Sequence, residues 1–304
     1  MNGFMVPDAL DGERIDRAVA MHTEASRADV AKLISAGGVT VDGVVIATRS
    51  RRLAAGEEVE LVGSIETIQR TVEADDSVEF GIVFEDADVI VVNKPAGLVV
   101  HPGPGNWTGT LANGLLAKFP EVGAIGDSAR PGIVHRLDVG TSGLLVVARS
   151  ERAYESLVRQ MTVHSARRTY RSLVHGLVQS DGGIIDARLG RSGRDRTKVT
   201  VKSDGRVART EYEVLRRFQR PVEVTEVECR LETGRTHQIR VHLTAIGHPV
   251  VADERYGRGG ETFGLQRPFL HAFRLAFEHP ESDDSVDFEA PLPDDLVAVL
   301  GQLR

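Results

Sequence analysis

The chain has 304 residues, of which 41% are hydrophobic, 27% charged and 5% aromatic, proportions that are ordinary for a globular protein. Its single cysteine, Cys229, excludes a disulfide framework within the chain and leaves a thiolate zinc site without ligands, which suits the cytoplasm. The net charge of −7, taken alone, argues against a nucleic-acid partner, and no signal peptide or membrane span is expected from the short apolar runs.

The charges are unevenly distributed along the chain, so the net charge hides a basic segment. Residues 188–206 carry seven lysines and arginines against two aspartates. Residues 278–295 carry eight acidic residues and no lysine or arginine. This distribution is compatible with a basic working face and an acidic C-terminal region.

The first part of the chain, residues 1–63, is predicted to form a compact unit. Helices are expected over 13–20 and 26–36, with Ser26 as the cap of the second helix. An Asp-Gly turn between 39–41 and 44–46 predicts a hairpin, and a strand follows over 58–62. Residues 64–77 are polar, acidic and weakly patterned, so we predict that they form a linker.

This unit resembles the small RNA-binding module first recognised in a small-subunit ribosomal protein. The matching segments are Arg14-Ile15-Asp16-Arg17, Ser26-Arg27, residues 38–43 and residues 56–59. The resemblance implies that Arg14, Arg17 and Arg27 contact RNA. From the residues alone, a small α/β module with a solvated, charged helix face is an equally good interpretation.

The remainder of the chain, residues 78–304, is rich in predicted strands. Helices are expected over 110–118, 152–163, 236–246 and 294–303. Strands are expected over 89–93, 98–101, 133–134, 144–148, 170–176, 207–214, 225–232 and 269–277. Because helices do not regularly separate the strands, we predict an α+β fold with a mixed, largely antiparallel central sheet and flanking helices.

A short polar segment between two of these strands is a candidate site. It contains Arg136 and Asp138, followed by a turn that contains Gly140 and Gly143. On a strand the arginine and the aspartate would point to the same face, and from the start of a turn Asp138 could face a cleft. Glycines allow a ligand to approach the backbone closely. An isolated Arg-x-Asp is more often a surface ion pair.

A second candidate is the helix predicted within residues 233–249, capped by one of its two leading threonines, Thr233 or Thr236. Its core-facing stripe is Ile239, Leu243 and Ile246. An adjacent face carries His237, Arg240 and Thr244.

The start of this helix, with Arg235 beside it, would attract an anion, and a structural helix with a solvated basic face is the alternative. A metal site formed by His237 and His242 is not expected, because they lie on different faces and no acidic or cysteine partner accompanies them.

Two further segments are candidates for nucleic-acid contact. Residues 167–171 (RRTYR) place three arginines at a strand start, where they could contact phosphates. Within this segment, Tyr170 could stack on a base or pack in the core. Residues 93–102 (NKPAGLVVHP) could form merely a hairpin with a type II turn or the rigid wall of a pocket.

Taken together, these segments resemble the family of large-subunit ribosomal RNA pseudouridine synthases of the RluA/RluD type. The resemblance covers about residues 80–280 and includes an Asn-Lys-Pro-x-Gly segment, a basic-x-Tyr strand and a Gly-Arg-Thr-His-Gln-Ile-Arg-Val-His helix. It also includes His135-Arg136-Leu137-Asp138 and Leu270-His271-Ala272. The chain departs from the family pattern at Val139-Gly140 and Ala252-Asp253, outside the implied catalytic residues.

The resemblance implies an enzyme that isomerises uridine to pseudouridine in RNA, with large-subunit ribosomal RNA favoured, and that uses no cofactor and no metal. It implies that Asp138 is the catalytic carboxylate, as nucleophile or as base, that Arg240 is its basic partner and that Tyr170 lines the base pocket. It implies that the uridine is extruded from the RNA and that Arg136 inserts where the base leaves. Further predicted RNA-binding residues are His135, Arg168, Arg235 and His237.

Other functions remain open on the sequence. A non-catalytic RNA-binding or ribosome-assembly factor could keep the same fold, and relatives of this family also act on transfer RNA. A carboxylate-dependent glycosidase would need a second acid that the sequence does not identify. We expect a cytoplasmic monomer that binds RNA and no membrane.

Overall fold

The computed structural model describes residues 3–23, 25, 27–62, 72–103, 106–193, 195, 197–257 and 259–304, without the side chains of residues 27 and 28. The chain divides into two compact units, residues 1–70 and 71–304. Most of the predicted linker, residues 64–71, lies outside the described residues, as does Ser26. Val72 then packs against the core of the second unit. The boundaries at residues 63 and 78 stay predictions.

In its described residues the first unit contains two α-helices, a short 3-10 helix over Asp8–Leu10 and a four-stranded antiparallel sheet. The helices are α1, Ile15–Thr23, and α2, Arg27–Ser35. The strands are β1, Gly3–Met5, β2, Val39–Val41, β3, Val44–Val45, and β4, Glu58–Leu61, in the order β1-β4-β2-β3. The predicted hairpin is confirmed, and its turn residues Asp42 and Gly43 both have positive φ, as a type I′ turn requires.

A nine-stranded sheet forms the centre of the second unit. Its strands are β5, Gly81–Glu85, β6, Val89–Lys94, β7, Ser142–Ala148, β8, Arg167–His175, β9, Gly182–Asp186, β12, Arg209–Phe218, β13, Val224–Leu231, β14, Leu270–Glu278, and β15, Ser285–Glu289. They lie in the order β5-β6-β7-β14-β8-β13-β12-β9, and β15 pairs with β14. A separate hairpin joins β10, Leu189–Arg191, to β11, Val199–Val201. Among the described strands β7 and β14 are parallel and all other pairs are antiparallel, so the predicted α+β class is confirmed.

Four α-helices accompany this sheet in the described chain: α3, Leu111–Lys118, α4, Glu151–Val163, α5, Gln238–Ala245, and α6, Asp294–Leu300. Thr110 and Asn113 form a capping box at the start of α3, and the Ser150 hydroxyl accepts the N–H of Ala153 at the start of α4. The described helices are too short or too polar to cross a bilayer.

Strands β6 and β7 are buried on both faces. One face, through Ile90 and Leu145, shares a core with α3 and α5, and the other, through Val91 and Val146, shares a core with α4. Because successive strand residues point to opposite faces, burial on both sides explains the continuous apolar runs of these strands.

Gly143 allows β7 to meet β14. It has φ 112°, and a side-chain carbon added there would come within 2.7 Å of three backbone atoms of Ala272. Only glycine adopts this conformation without strain and allows so close an approach.

Two predicted strands are corrected by the structure. Residues 98–101 form no strand, because the carbonyls of Val99 and Val100 accept the first free N–H groups of α3, at Leu111 and Ala112, instead of joining a sheet. Residues 133–134 make only an isolated bridge, from Ile133 to Val147.

Candidate active site

Asp138 and Arg240 are 102 positions apart in the chain and form an ion pair in a pocket of about 500 Å³. The Nη1 group of Arg240 donates to Asp138 Oδ2 at 3.1 Å. Asp138 lies in a loop, not on a strand, and its carbonyl accepts the N–H of Thr141 at 3.0 Å. It therefore begins the turn before β7, and its half-buried carboxylate faces the cleft.

The guanidinium of Arg240 is held by a second carboxylate, that of Asp253. Nε and Nη2 donate to Asp253 at 2.7 and 2.8 Å, and Asp253 also accepts the N–H groups of Arg255 and Tyr256. Burial would lower the pKa of Arg240, but its bonds and charge interactions with Asp253 and Asp138 raise it above the usual value. Asp253 thus holds the Nε–Nη2 edge of the guanidinium, and Nη1 remains free to donate to Asp138. This burial corrects the predicted solvated basic face.

His237 lies directly before α5 and beside Asp138. It has φ 56° and ψ 20°, and its Nε2 lies 4.0 Å from Asp138 Oδ1. Neither predicted threonine caps the helix, because His237 occupies the cap position and the Thr233 hydroxyl donates to Gln238. Burial is the main cause that lowers the pKa of His237, which favours the neutral imidazole.

The hydroxyl of Tyr256 contacts His237 Nδ1 at 2.7 Å, and its ring lies 5.1 Å below the guanidinium carbon of Arg240. No role for Asp253 or Tyr256 is predicted from the sequence. The two residues are three positions apart in one turn, which lets the Asp253 carboxylate accept the N–H of Tyr256.

Tyr170 lies on β8 and lines the pocket while belonging to the main core. The predicted packing of Tyr170 in the core is confirmed, and its contact with a base stays a prediction. Burial raises the pKa of its phenol to about 12, so the phenol stays protonated near neutral pH.

Arg168 and His135 are unusual because buried polar atoms in both lack partners. Arg168 is 7% exposed, and its Nε and Nη2 groups bond to none of the described residues. His135 Nε2 accepts the N–H of Val146 at 3.1 Å, which leaves the proton on the buried, unbonded Nδ1. Burial lowers the pKa of His135 to about 3. Both side chains line the pocket, and each carries buried N–H groups that have no hydrogen-bond acceptor among the described residues.

Arg136 and Arg235 are exposed residues of the pocket lining. Arg235 also donates through Nε to the carbonyl of Val207 at 3.0 Å. Arg171, by contrast, pairs with Glu226 at 3.0 Å and stacks on Phe273, which makes it part of the sheet rather than of the pocket.

The Asn-Lys-Pro segment supports the loop that carries Asp138. The fully buried ammonium of Lys94 donates to the carbonyls of Pro95 and Leu98 at 2.9 Å and approaches that of Val139 at 3.4 Å. The N–H of Gly97 binds the same Val139 carbonyl at 2.7 Å. Burial lowers the pKa of Lys94 to about 7. The turn at residues 94–97 thus fixes the residue after Asp138, and His101 of the same predicted segment lines the pocket.

The arginines predicted to bind RNA in the first unit make local ion pairs. Arg14 binds Asp16 through two bonds of 2.9 and 3.0 Å, and Arg17 pairs with Glu13 at 2.9 Å. Both side chains keep substantial exposure, and the side chain of Arg27 lies outside the described part of the chain. Their contact with RNA stays a prediction.

Comparison with known proteins agrees with this architecture. Residues 88–245 match the family described as RNA pseudouridylate synthase, and residues 13–59 match the S4 domain. The chain is 45% identical over 294 residues to an uncharacterized RNA pseudouridine synthase of Bacillus subtilis, YlyB, which covers 96% of this chain and 94% of that protein. It is 41% identical over 307 residues to ribosomal large subunit pseudouridine synthase D of Nitrosomonas europaea, with coverage of 98% and 87%.

Among solved structures, human RNA pseudouridylate synthase domain containing 1 superposes with a TM-score of 0.58 at 30% identity, covering 73% of this chain and 86% of that one. The fold, the family match and nearly full-length relatives agree. The chain belongs to the RNA pseudouridylate synthase family, carries an S4 domain at its N-terminus, and is an RNA-binding enzyme that isomerises uridine to pseudouridine.

Proposed function

We propose that this enzyme modifies specific uridines of large-subunit ribosomal RNA and that Asp138 is its single catalytic carboxylate. The observation that carries the proposal is the Asp138–Arg240 pair at the pocket. Because Arg240 donates a hydrogen bond to Oδ2 of Asp138, Oδ1 is the oxygen available to react with the nucleotide as a nucleophile or as a base.

The reaction breaks the bond between C1′ of the ribose and N1 of uracil and joins C1′ to C5 of the same base. The hydrogen at C5 leaves as a proton, and N1 gains a proton. No atoms are added, so no water needs to be activated and one carboxylate suffices. Among the described residues lining the pocket Asp138 is the one carboxylate, and Asp253 is already bound to Arg240 and to two backbone N–H groups. This arrangement disfavours a glycosidase, which needs a second acid facing the sugar.

The pocket suits one nucleotide removed from the RNA stack. Its volume of about 500 Å³ lies within the range of about 300–1,000 Å³ typical of small-ligand sites. Its lining includes five arginines against one carboxylate, a charge balance that favours a phosphodiester substrate. These are Arg130, Arg136, Arg168, Arg235 and Arg240. We assign the exposed Arg136 to the space that the extruded uridine leaves.

The ribosomal target rests on the relatives. The Nitrosomonas relative is named a ribosomal large subunit pseudouridine synthase, and we extend that substrate to this chain. In this proposal the S4 domain, through Arg14, Arg17 and Arg27, holds the RNA while residues 78–304 act on it. We further propose that the enzyme works as a cytoplasmic monomer.

Tritium release from RNA labelled at C5 of uridine tests the carboxylate. Asp138→Asn and Asp138→Ala should abolish release and leave the far-ultraviolet circular dichroism unchanged, whereas the exposed Asp283→Asn should keep full activity. Retained turnover in either Asp138 variant would refute the assignment.

Mapping pseudouridines in cells with and without the gene tests the target. Sites lost from large-subunit ribosomal RNA would support the proposal, and losses confined to transfer RNA would replace the substrate. Ribosomal RNA binding with no lost site in any RNA would favour a non-catalytic assembly factor.

A further inference from the structure

Two hydrogen bonds lead from the β10–β11 hairpin to His237, which faces Asp138. The N–H of Val199 donates to the Tyr256 hydroxyl oxygen at 3.0 Å, and this hydroxyl lies 2.7 Å from His237 Nδ1. A backbone N–H can only donate, so the first bond has a fixed direction. His237 Nε2 then faces Asp138 Oδ1 at 4.0 Å.

The direction of the second bond follows from the available acceptors. If His237 Nδ1 donated to Tyr256, the tyrosine proton would have no acceptor among the described residues. If Tyr256 donates instead, the tyrosine proton is used, and the imidazole proton lies on Nε2, 4.0 Å from Asp138 Oδ1. The negative Asp138 carboxylate opposite Nε2 favours the same tautomer. The neutral His237 therefore presents an N–H to the pocket.

The backbone of His237 is held in an uncommon conformation to achieve this. Its φ of 56° lies in the left-handed region, which is unfavourable for a residue with a side chain. The Gln238 side chain stabilises the turn, because its Oε1 accepts from the N–H of Arg235 and from Thr233. Strain at a residue beside a reactive group indicates a functional constraint.

The distance from Nε2 to Oδ1 is too long for a hydrogen bond, and Nε2 is not otherwise bonded in the described structure. A nucleotide atom that reacts with Oδ1 at about 3 Å brings the neighbouring uracil atoms within reach of Nε2. We propose that His237 donates Nε2–H to a uracil carbonyl oxygen as the glycosidic bond breaks, and that Tyr256 is the positioning residue that fixes its tautomer. This inference rests on the proposed role of Asp138.

The chemistry of the step supplies a reason for this donor. When the C1′–N1 bond breaks, its electron pair stays on the base and is shared with the adjacent carbonyl oxygen. The hydrogen bond from Nε2 strengthens as that charge develops, and no proton needs to be transferred. Removing one such fixed donor typically costs about 10²- to 10³-fold in rate.

Four variants separate this role from a structural one: His237→Leu, His237→Gln, Tyr256→Phe and the double variant Tyr256→Phe/His237→Gln. Glutamine keeps an N–H donor near the position of Nε2 but has no tautomer to fix. The measurement is the single-turnover rate of tritium release at saturating RNA, with the RNA dissociation constant measured in parallel. Tyr212→Phe is the matched control, because the Tyr212 hydroxyl makes no hydrogen bond within the described structure.

We expect His237→Leu to lower the rate about 100-fold, as loss of a fixed donor does, and His237→Gln to recover about tenfold of that loss. Tyr256→Phe should lower the rate about tenfold in the native background and not at all in the His237→Gln background. RNA affinity should stay within about twofold throughout, because both residues act on the chemical step.

A native rate in His237→Leu, or an equal effect of Tyr256→Phe in both backgrounds, would overturn the inference. If Asp138→Ala is inactive while His237→Leu is fully active, only this inference fails. If Asp138→Ala retains activity, the proposed function itself fails. Should His237→Leu not fold, the comparison of Tyr256→Phe in the two backgrounds decides alone.

Discussion

Replacing Asp253 with asparagine should destabilise the second unit strongly. The Asp253 side chain has no exposed surface, and its carboxylate accepts two bonds from Arg240 and two backbone N–H groups. Removing one partner of a buried ion pair costs about 3–5 kcal/mol. Because Arg240 keeps Asp138 and asparagine keeps one oxygen, we expect about 3 kcal/mol, at the lower end of that range.

In a unit of this size a loss of about 3 kcal/mol lowers Tm by about 6–12 °C. The matched control is Asp287→Asn, which removes a carboxylate from Arg274 in an exposed pair with a similar forked geometry. There the shift should stay below about 2 °C, because water screens exposed pairs. Differential scanning calorimetry on the full chain measures both. Equal shifts in the two variants would show that burial of the Arg240–Asp253 pair contributes nothing.

Three other outcomes follow from the structure. Arg136→Ala should weaken modification of folded RNA more than that of an unstructured oligonucleotide, since only the former needs base extrusion; equal losses in parallel turnover assays would contradict this. His237→Gly relieves left-handed strain but loses the hydrogen bond to Tyr256, so in urea titrations it should gain less stability than Asp283→Gly, which has a similar φ of 58° and should gain about 1 kcal/mol; His237→Gly should lose most activity and Asp283→Gly none, and an equal gain in both would contradict this. For Lys94 the folded-state pKa of about 7 lies below its ordinary value of 10.5, so the unfolded chain binds more protons between these values. Its contribution to stability therefore rises from pH 7 to 10.5, so the free energy of unfolding of the native protein should increase relative to that of Lys94→Met over this window in urea titrations; a constant difference would exclude a buried, titrating lysine.

Local patterns of apolar residues predicted most strands of the sheet in the second unit. Strands β6 and β7 were found because burial on both faces leaves continuous runs of apolar residues. Strands β5, β9 and β15 were not predicted. They lie at or near sheet edges and are half-exposed, so their short apolar runs indicate a strand less clearly. Residues 98–101 have the composition of a strand, but their carbonyls bind the start of α3.

For the candidate site, family resemblance singled out Asp138, Arg240 and Tyr170, which all line one pocket. It included Asp253 and Tyr256 in a family segment but assigned them no role, because their roles arise from contacts that loops make with α5, which no sequence periodicity reveals. The predicted core stripe of α5 was right at Leu243 but not at Ile246, which is 36% exposed because the helix ends at Ala245.

The parallel pairing of β7 with β14 has a consequence for how the enzyme matures. Ser142 lies opposite His271, 129 positions later, and the stretch between them contributes Tyr170, Arg240 and Asp253. A ribosome must therefore synthesise nearly the whole polypeptide before the centre of the sheet can close around the pocket. We therefore expect chains that end before β14 to be inactive, and we expect a bulkier residue in place of Gly143 to keep these two strands apart even in a complete chain.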